Sequence, residues 1–304
     1  MKELEGCVDL HLHTTRSDGT MTPAEVVQYA RMKGLRAIAI TDHDTVGGNE
    51  EAIAEGRRLG VEVIPGVELS IAFQPGEFHL LGYFIDYESR ELQRSLGSLR
   101  EHRRMRNPQI VQKLAQMGIA LNLQDIQRVS PNENVGRPHI AAAMVEAGYV
   151  QSVQEAFDRY LKKDGPAYVP KEYLTPEQGI AMIHRHGGIP VLAHPHTLEI
   201  GTLEKIGGIL ERLCTYGLMG IEVWYSGNSP RKSAIYKSLA TRHGLCMTGG
   251  SDFHGDVKPG IELGTGRGRL KLSYSIVVEL KKRLPDTHPL FERPFRRLWE
   301  LLHI

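Results

Sequence analysis

Cysteine is scarce in this chain: Cys7, Cys214 and Cys246 are the three present, far apart and without a C-x-x-C spacing. That pattern excludes a disulfide framework and a thiolate zinc site, and a reducing, cytoplasmic setting is expected. Long apolar runs are missing too. No stretch approaches the ~20 residues of a bilayer span, and the opening Met-Lys-Glu-Leu-Glu-Gly-Cys-Val-Asp lacks the apolar stretch of a secretory signal, so a soluble protein without a membrane partner is expected. Excess charge of one sign is absent: 37 Lys and Arg stand against 36 Asp and Glu, a formal net charge of +1. Stable binding to long nucleic acid needs concentrated positive charge, so any basic surface must be local. No GxSxG or Cys-His signature asks for a protein nucleophile.

What is present is a regular alternation of short β-branched runs with longer amphipathic segments, the pattern of βα units in a parallel barrel. Thr22-Pro23-Ala24-Glu25 and Thr175-Pro176-Glu177-Gln178 each offer an N-cap, a proline at the first helical position and a capping-box partner; Ser229-Pro230 is a shorter version. Glycines that follow the helical patterns, such as Gly60 and Gly244, lead into strands. The strands so delimited cover 7–13, 36–41, 61–67, 78–84, 189–194, 220–224 and 245–249. Between 89 and 168 the rhythm gives way to helices, over 92–117 and 138–147 among others, which reads as an insertion. The domains expected are a barrel from 1–88 and 169–284, a helical insertion over 89–168, and a basic-aromatic tail over 285–304.

His11 and His13 are two residues apart on the first strand, so their side chains leave one face and converge; Asp9 is expected on that face, with Val8, Leu10 and Leu12 turned to the helices. Later strands run into Asp42-His43, into Glu68, into His194 and into Asp252-Phe253-His254. Ligand-type residues at the C-terminal ends of parallel strands gather on one rim of a barrel. Asp18, in the turn after the first strand, and His79 complete the set. His102, His184, His186, His243, His288 and His303 are expected at the surface, and His139 and His196 nearer the site. Glu222 and Tyr225 fall on the active rim by position alone.

Asp9-Leu10-His11-Leu12-His13, Ser17-Asp18-Gly19, Thr41-Asp42-His43, Gly66-Val67-Glu68, Leu192-Ala193-His194-Pro195 and Ser251-Asp252-Phe253-His254, in this order, resemble the motifs of the PHP family, named for polymerase and histidinol phosphatase. The resemblance covers nearly the whole chain. It is greatest to the stand-alone phosphoesterases with a helical insertion after the strand bearing Phe78-His79, the 3′,5′-nucleoside bisphosphate phosphatases and a related 5′ to 3′ exoribonuclease. The fold it implies is α/β, a distorted (β/α)7 TIM-like barrel (the PHP fold) with a helical insertion domain. It implies three divalent metals: His11, His13, Glu68 and Asp252 on the first; Glu68, His79 and His194 on the second, with Glu68 bridging; Asp18, His43 and His254 on the third. Glu68, Asp252 and His254 would be the catalytic residues. Some family members carry histidine in place of Asp18; the harder ligand favours manganese, with magnesium, iron and zinc as alternatives.

The expected activity is hydrolysis of a phosphate monoester, from a 3′,5′-nucleoside bisphosphate to a nucleoside 5′-phosphate and inorganic phosphate. In the insertion, Arg103, Arg106, Asn107 and Arg137 are expected to bind the substrate, because arginine forks and a helix N-terminus suit a second phosphate. The partner expected is a small phosphorylated molecule, a nucleotide or a short oligonucleotide. The alternatives are an exoribonuclease acting on short RNA ends, another small-molecule phosphatase such as a histidinol phosphatase, a metal-binding accessory domain without turnover, and an amidohydrolase.

Overall fold

Four barrel helices start where the sequence supplies a side-chain cap, at Thr22, Thr175, Thr202 and Ser229. In the computed structural model, which describes residues 7–122, 124–126, 137–162, 164–169, 173–285 and 288, α1 (Pro23–Met32) opens on a complete capping box between Thr22 and Glu25. Such a cap stabilises a helix by ~1 kcal/mol. α2 spans Asn49–Leu59. α3 (Arg90–Gln116), α4 (Arg137–Glu146) and α5 (Val153–Ala156) follow. α6 (Pro176–Arg185) repeats the capping box with Thr175 and Gln178, α7 covers Leu203–Thr215, and α8 (Pro230–His243) is capped by Ser229 and ends on left-handed Gly244. α9 is Ser275–Lys281.

The chain divides into two compact units, Met1–Gln93 with Leu174–Ile304, and Arg94–Tyr173. The first is a sheet of seven strands in sequential order: β1 (Cys7–Leu12), β2 (Leu35–Ile40), β3 (Glu62–Ile71), β4 (Phe78–Tyr83), β5 (Ile189–Leu192), β6 (Gly220–Tyr225) and β7 (Cys246–Gly250). It curls until β1 meets the end of β7, where Asp252 N donates to His11 O and His13 N to Phe253 O. The result is a nearly closed α/β barrel.

The expectation of an all-parallel barrel is corrected at β4, which runs antiparallel to both β3 and β5. The segment between β3 and β4 is too short for a crossover helix, so the chain turns straight back. β3 is longer than expected and continues past Glu68 to Ile71 to pair with β4.

A second correction concerns β1. Val8 and Leu10 pack with Ile64, Tyr83, Val191 and Cys246, whereas Leu12 packs with Val26, Val27 and Ala30 of α1. A register irregularity between Asp9 and Leu12 breaks the strict alternation. The Asp9 carboxylate consequently stays off the His11 and His13 rings and accepts from backbone instead, from Ser251 N at 2.8 Å, Gly264 N at 2.7 Å and His11 N at 3.4 Å. The second unit has its own core, built on Ile110, Leu114, Ile140, Met144 and Leu161. Among the described residues no helix is long and apolar enough to cross a membrane.

Candidate metal centre

Glu68 sits mid-strand in β3, fully buried, and its two oxygens look in different directions. Oε2 lies 3.3 Å from His11 Nε2, 3.2 Å from His13 Nε2 and 3.1 Å from His43 Nδ1. Oε1 lies 3.2 Å from His79 Nδ1 and 2.9 Å from His194 Nε2. The antiparallel course of β4 is what brings His79 here. It is the second residue of its strand, and only a reversed strand presents its beginning on the rim where the parallel strands end.

Asp252 follows β7 in the left-handed region (φ 58°), a conformation that costs ~1–3 kcal/mol unless its surroundings hold it. Its Oδ1 is 3.6 Å from His11 Nε2 and 3.3 Å from His13 Nε2. Its Oδ2 accepts from Tyr225 OH at 2.9 Å and Lys258 Nζ at 2.5 Å. Gly250 admits this approach, since a Cβ there would lie 2.4 Å from His11 Cβ. Asp18 completes the rim: Oδ1 is 3.5 Å from His13 Nδ1 and 3.3 Å from His254 Nε2, and Oδ2 is 3.8 Å from His43 Nε2.

All nine sequence-derived ligand residues thus share one rim. They fall into four groups whose donor atoms lie within 4.8 Å of one another: His13, Asp18, His43 and His254; His11, His13 and Asp252; His11, Glu68 and His194; His43, Glu68 and His79. The groups overlap, with His11, His13, His43 and Glu68 each serving two. A divalent cation fits these residues on a further ground. His11 Nε2, His13 Nε2, Asp18 Oδ1, His43 Nδ1 and Glu68 Oε2 are all buried with no hydrogen-bond partner, which protein interiors rarely tolerate without another ligand.

Electrostatics point the same way. Burial pushes the Glu68 carboxyl up, but His43, His11 and His79 outweigh it and hold the group well below the usual range. Asp252, buried, and Asp18, half-buried, are likewise held well below the usual range, Asp252 chiefly by His11 and His13, Asp18 by His43 and His254. Burial drives His43 down to about 3. His13 opposes its own burial through Asp252 and Glu68 and rises to about 9; His11 rises as well, held by Glu222 and Glu68.

Sequence reading assigned no role to Glu222 or Asp42, and both prove to organise the rim. A register irregularity between Glu222 and Trp224 lets residues 222 and 225, three apart, serve the same site. Glu222 accepts from His11 Nδ1 at 3.0 Å and from His194 N at 2.7 Å. Asp42 accepts from Thr14 N, Thr14 Oγ1 and Ser17 Oγ at 2.6–2.8 Å, which shapes the turn that carries Asp18. His196 packs beside Tyr225, ring centroids 5.0 Å apart and the planes tilted by 37°. His186 and His288, expected at the surface, are buried, and His288 Nε2 bonds Phe84 O at 3.0 Å.

The expected substrate-binding residues occupy the helical unit. Arg106 is buried and its Nε donates to Val169 O at 2.7 Å; Arg137 Nη1 donates to Leu161 O at 3.0 Å. Both guanidiniums lie over the Tyr168 ring, 5.7 and 5.6 Å from its centroid, and Asn107 is buried beside Arg106 in sequence. The Arg103 side chain lies outside the described residues.

A match to the PHP domain family covers residues 9–163. The chain is 33% identical over 282 residues to the 3′,5′-nucleoside bisphosphate phosphatase of Chromobacterium violaceum, spanning 91% of this chain and 97% of that relative. It is 35% identical over 258 residues to the 5′-3′ exoribonuclease Rnm of Escherichia coli, spanning 84% and 87%. Among solved structures, a candidate metal-dependent phosphoesterase from Bifidobacterium adolescentis superposes with a TM-score of 0.75 at 31% identity, covering 92% of this chain and 97% of that one.

Proposed function

Since this chain belongs to the PHP domain family and is a metal-dependent phosphoesterase, we propose that its substrate is a 3′,5′-nucleoside bisphosphate, cleaved to a nucleoside 5′-phosphate and inorganic phosphate. The observation that carries this reading is the split environment of Glu68, with one oxygen toward His11, His13 and His43 and the other toward His79 and His194. A carboxylate so placed suits two cations side by side, the arrangement that phosphoryl transfer uses. The likeness to the bisphosphate phosphatase along nearly its full length supports the choice of substrate.

Three divalent ions are proposed, manganese foremost. His11, His13, Glu68 and Asp252 would hold the first, Glu68, His79 and His194 the second, and Asp18, His43 and His254 the third. Bound there, such ions neutralise phosphoryl charge and lower the pKa of a water toward neutrality. The protein's own contribution is positioning. Glu222 orients His11, Tyr225 and Lys258 hold the far oxygen of Asp252, and Asp42 fixes the Asp18 turn. His254, buried between Asp18 and Asp252, would turn Nε2 to the third ion while its Nδ1 bonds Asp252 O at 2.9 Å, which fixes the ring beside the reacting phosphate. Arg103, Arg106, Asn107 and Arg137 are assigned to the phosphate that is not cleaved.

A second reading, a 5′ to 3′ exoribonuclease on short ends, draws support from the likeness to Rnm and from a basic cavity beside Tyr225. Product analysis separates the two. With manganese supplied, adenosine 3′,5′-bisphosphate should yield adenosine 5′-phosphate and inorganic phosphate. Release of mononucleotides from a 5′-phosphorylated trinucleotide, with no attack on the bisphosphate, would replace the first reading by the second.

A further inference from the structure

The segments after β6 and β7 carry charge that the metal centre does not use. Between Ser226 and Gly244 stand Arg231, Lys232, Lys237 and Arg242 with no acidic residue; between Gly264 and Ser275 stand Arg267, Arg269 and Lys271, again with none. Seven positive charges in two short segments are a pronounced local excess in a chain whose net charge is +1. Among the described residues, none of the seven forms an ion pair with a carboxylate. Uncompensated charge of one sign repels itself and concentrates anions.

The two segments face each other across a cavity of about 350 Å³, whose lining includes Trp224, Tyr225, Lys237, Arg267, Arg269 and Leu270. That volume is at the lower end of small-ligand pockets. The cavity adjoins the metal centre through one residue: Tyr225 lines it, and the Tyr225 hydroxyl donates to Asp252.

We propose that this cavity is a nucleotide subsite, which takes the unit next to the phosphoester under attack in a short single strand. The base lies against the Trp224 indole and its phosphate against Arg267, Arg269 and Lys237. The inference rests on the nucleotide phosphoesterase reading above. An indole beside cations is the combination single-stranded nucleic acid requires, because stacking on an aromatic face accepts any base while arginine forks grip phosphate. An acidic peptide would satisfy the cations but leave the indole and the link to Asp252 unexplained.

Two measurements decide it. The Arg267→Gln/Arg269→Gln variant, altered only at exposed side chains, is compared with wild type on 5′-phosphorylated triadenylate and on adenosine 3′,5′-bisphosphate. KM for the trinucleotide should rise tenfold or more and its salt dependence weaken, while KM and kcat for the bisphosphate stay within twofold. In a Trp299→Phe background, which leaves Trp224 as the sole tryptophan, triadenylate should quench the emission, and the arginine variant should shift that titration by the same factor. Unchanged titrations, or equal losses on both substrates, overturn the subsite. Should wild type cleave aryl phosphates and neither nucleotide, the functional reading falls; the quenching titration needs no turnover and still decides the cavity.

Discussion

Glu222 and His11 are joined beneath the rim by a 3.0 Å contact between Oε1 and Nδ1, while the other carboxylate oxygen takes the backbone N–H of His194 at 2.7 Å. An ionised carboxylate only accepts, so Nδ1 must donate, and Nε2 is left to face Glu68 and Asp252. Glutamine can meet one of these two donors with its oxygen but turns its own N–H2 on the other. Glu222→Gln should therefore weaken metal binding by about 10- to 100-fold. Metal content after dialysis against graded manganese checks this; wild-type retention would refute the orienting role.

The same residue shows where sequence reading stops. His11 and His13 were legible because two histidines on a period of two can be placed on a strand without knowing the fold. A lone glutamate in Gly220-Ile221-Glu222-Val223-Trp224 carries no such signal, and the irregularity after it, which brings residues 222 and 225 to one site, is a property of pairing with β7. His79 was legible as a ligand type, but its place required the antiparallel return of β4. Asp9 was put with the histidines by alternation and left them because β1 is irregular. Helix starts, by contrast, are local chemistry, and Thr22, Thr175 and Ser229 cap as their sequences predict.

Glu68→Gln tests the bridge itself. The amide keeps the volume but loses the charge that faces five imidazoles, so loss of at least two bound ions and of all measurable turnover is expected. Metal analysis and phosphate release, made on the same sample, give the answer. Full activity would dismantle the proposed arrangement.

Proton competition gives metal binding a pH dependence of defined sign. Without metal, His13 is raised to about 9, so below about pH 9 a cation must displace a proton from that ring, and the upward shifts of His11 and His194 add to the competition. Apparent manganese affinity should climb from pH 6 toward pH 9 and then level off. Calorimetric titration in buffers of different ionisation heats counts the protons released at pH 7, where a count near zero would contradict the assignment.

In the helical unit, Arg137 is held over Tyr168 and against Leu161 O, a pose that fixes its guanidinium. If it binds the uncleaved phosphate, Arg137→Ala should raise KM for adenosine 3′,5′-bisphosphate by about tenfold or more, a charge-assisted contact contributing ~1.5–3 kcal/mol. KM for a simple aryl phosphate, which has no second phosphate, should change little. Equal increases would mean the arginine only holds the unit together.

Lys258 and Tyr225 converge on one oxygen of Asp252, at 2.5 and 2.9 Å, while the other oxygen faces His11 and His13. Holding the far oxygen keeps the carboxylate from rotating, and that in turn keeps the near one on the histidines. Either donor alone suffices to restrain it partly, so Tyr225→Phe and Lys258→Met should each lower kcat by about tenfold or less. Removing both frees the rotation, and kcat should then drop by about 100-fold or more, since each hydrogen bond to the charged oxygen is worth ~1.5–3 kcal/mol. The double-mutant cycle at saturating manganese measures the coupling between the two donors, and metal content measured alongside separates lost metal from a misplaced carboxylate. A double variant with wild-type kcat would show that the orientation of Asp252 is fixed by β7 and its left-handed backbone alone.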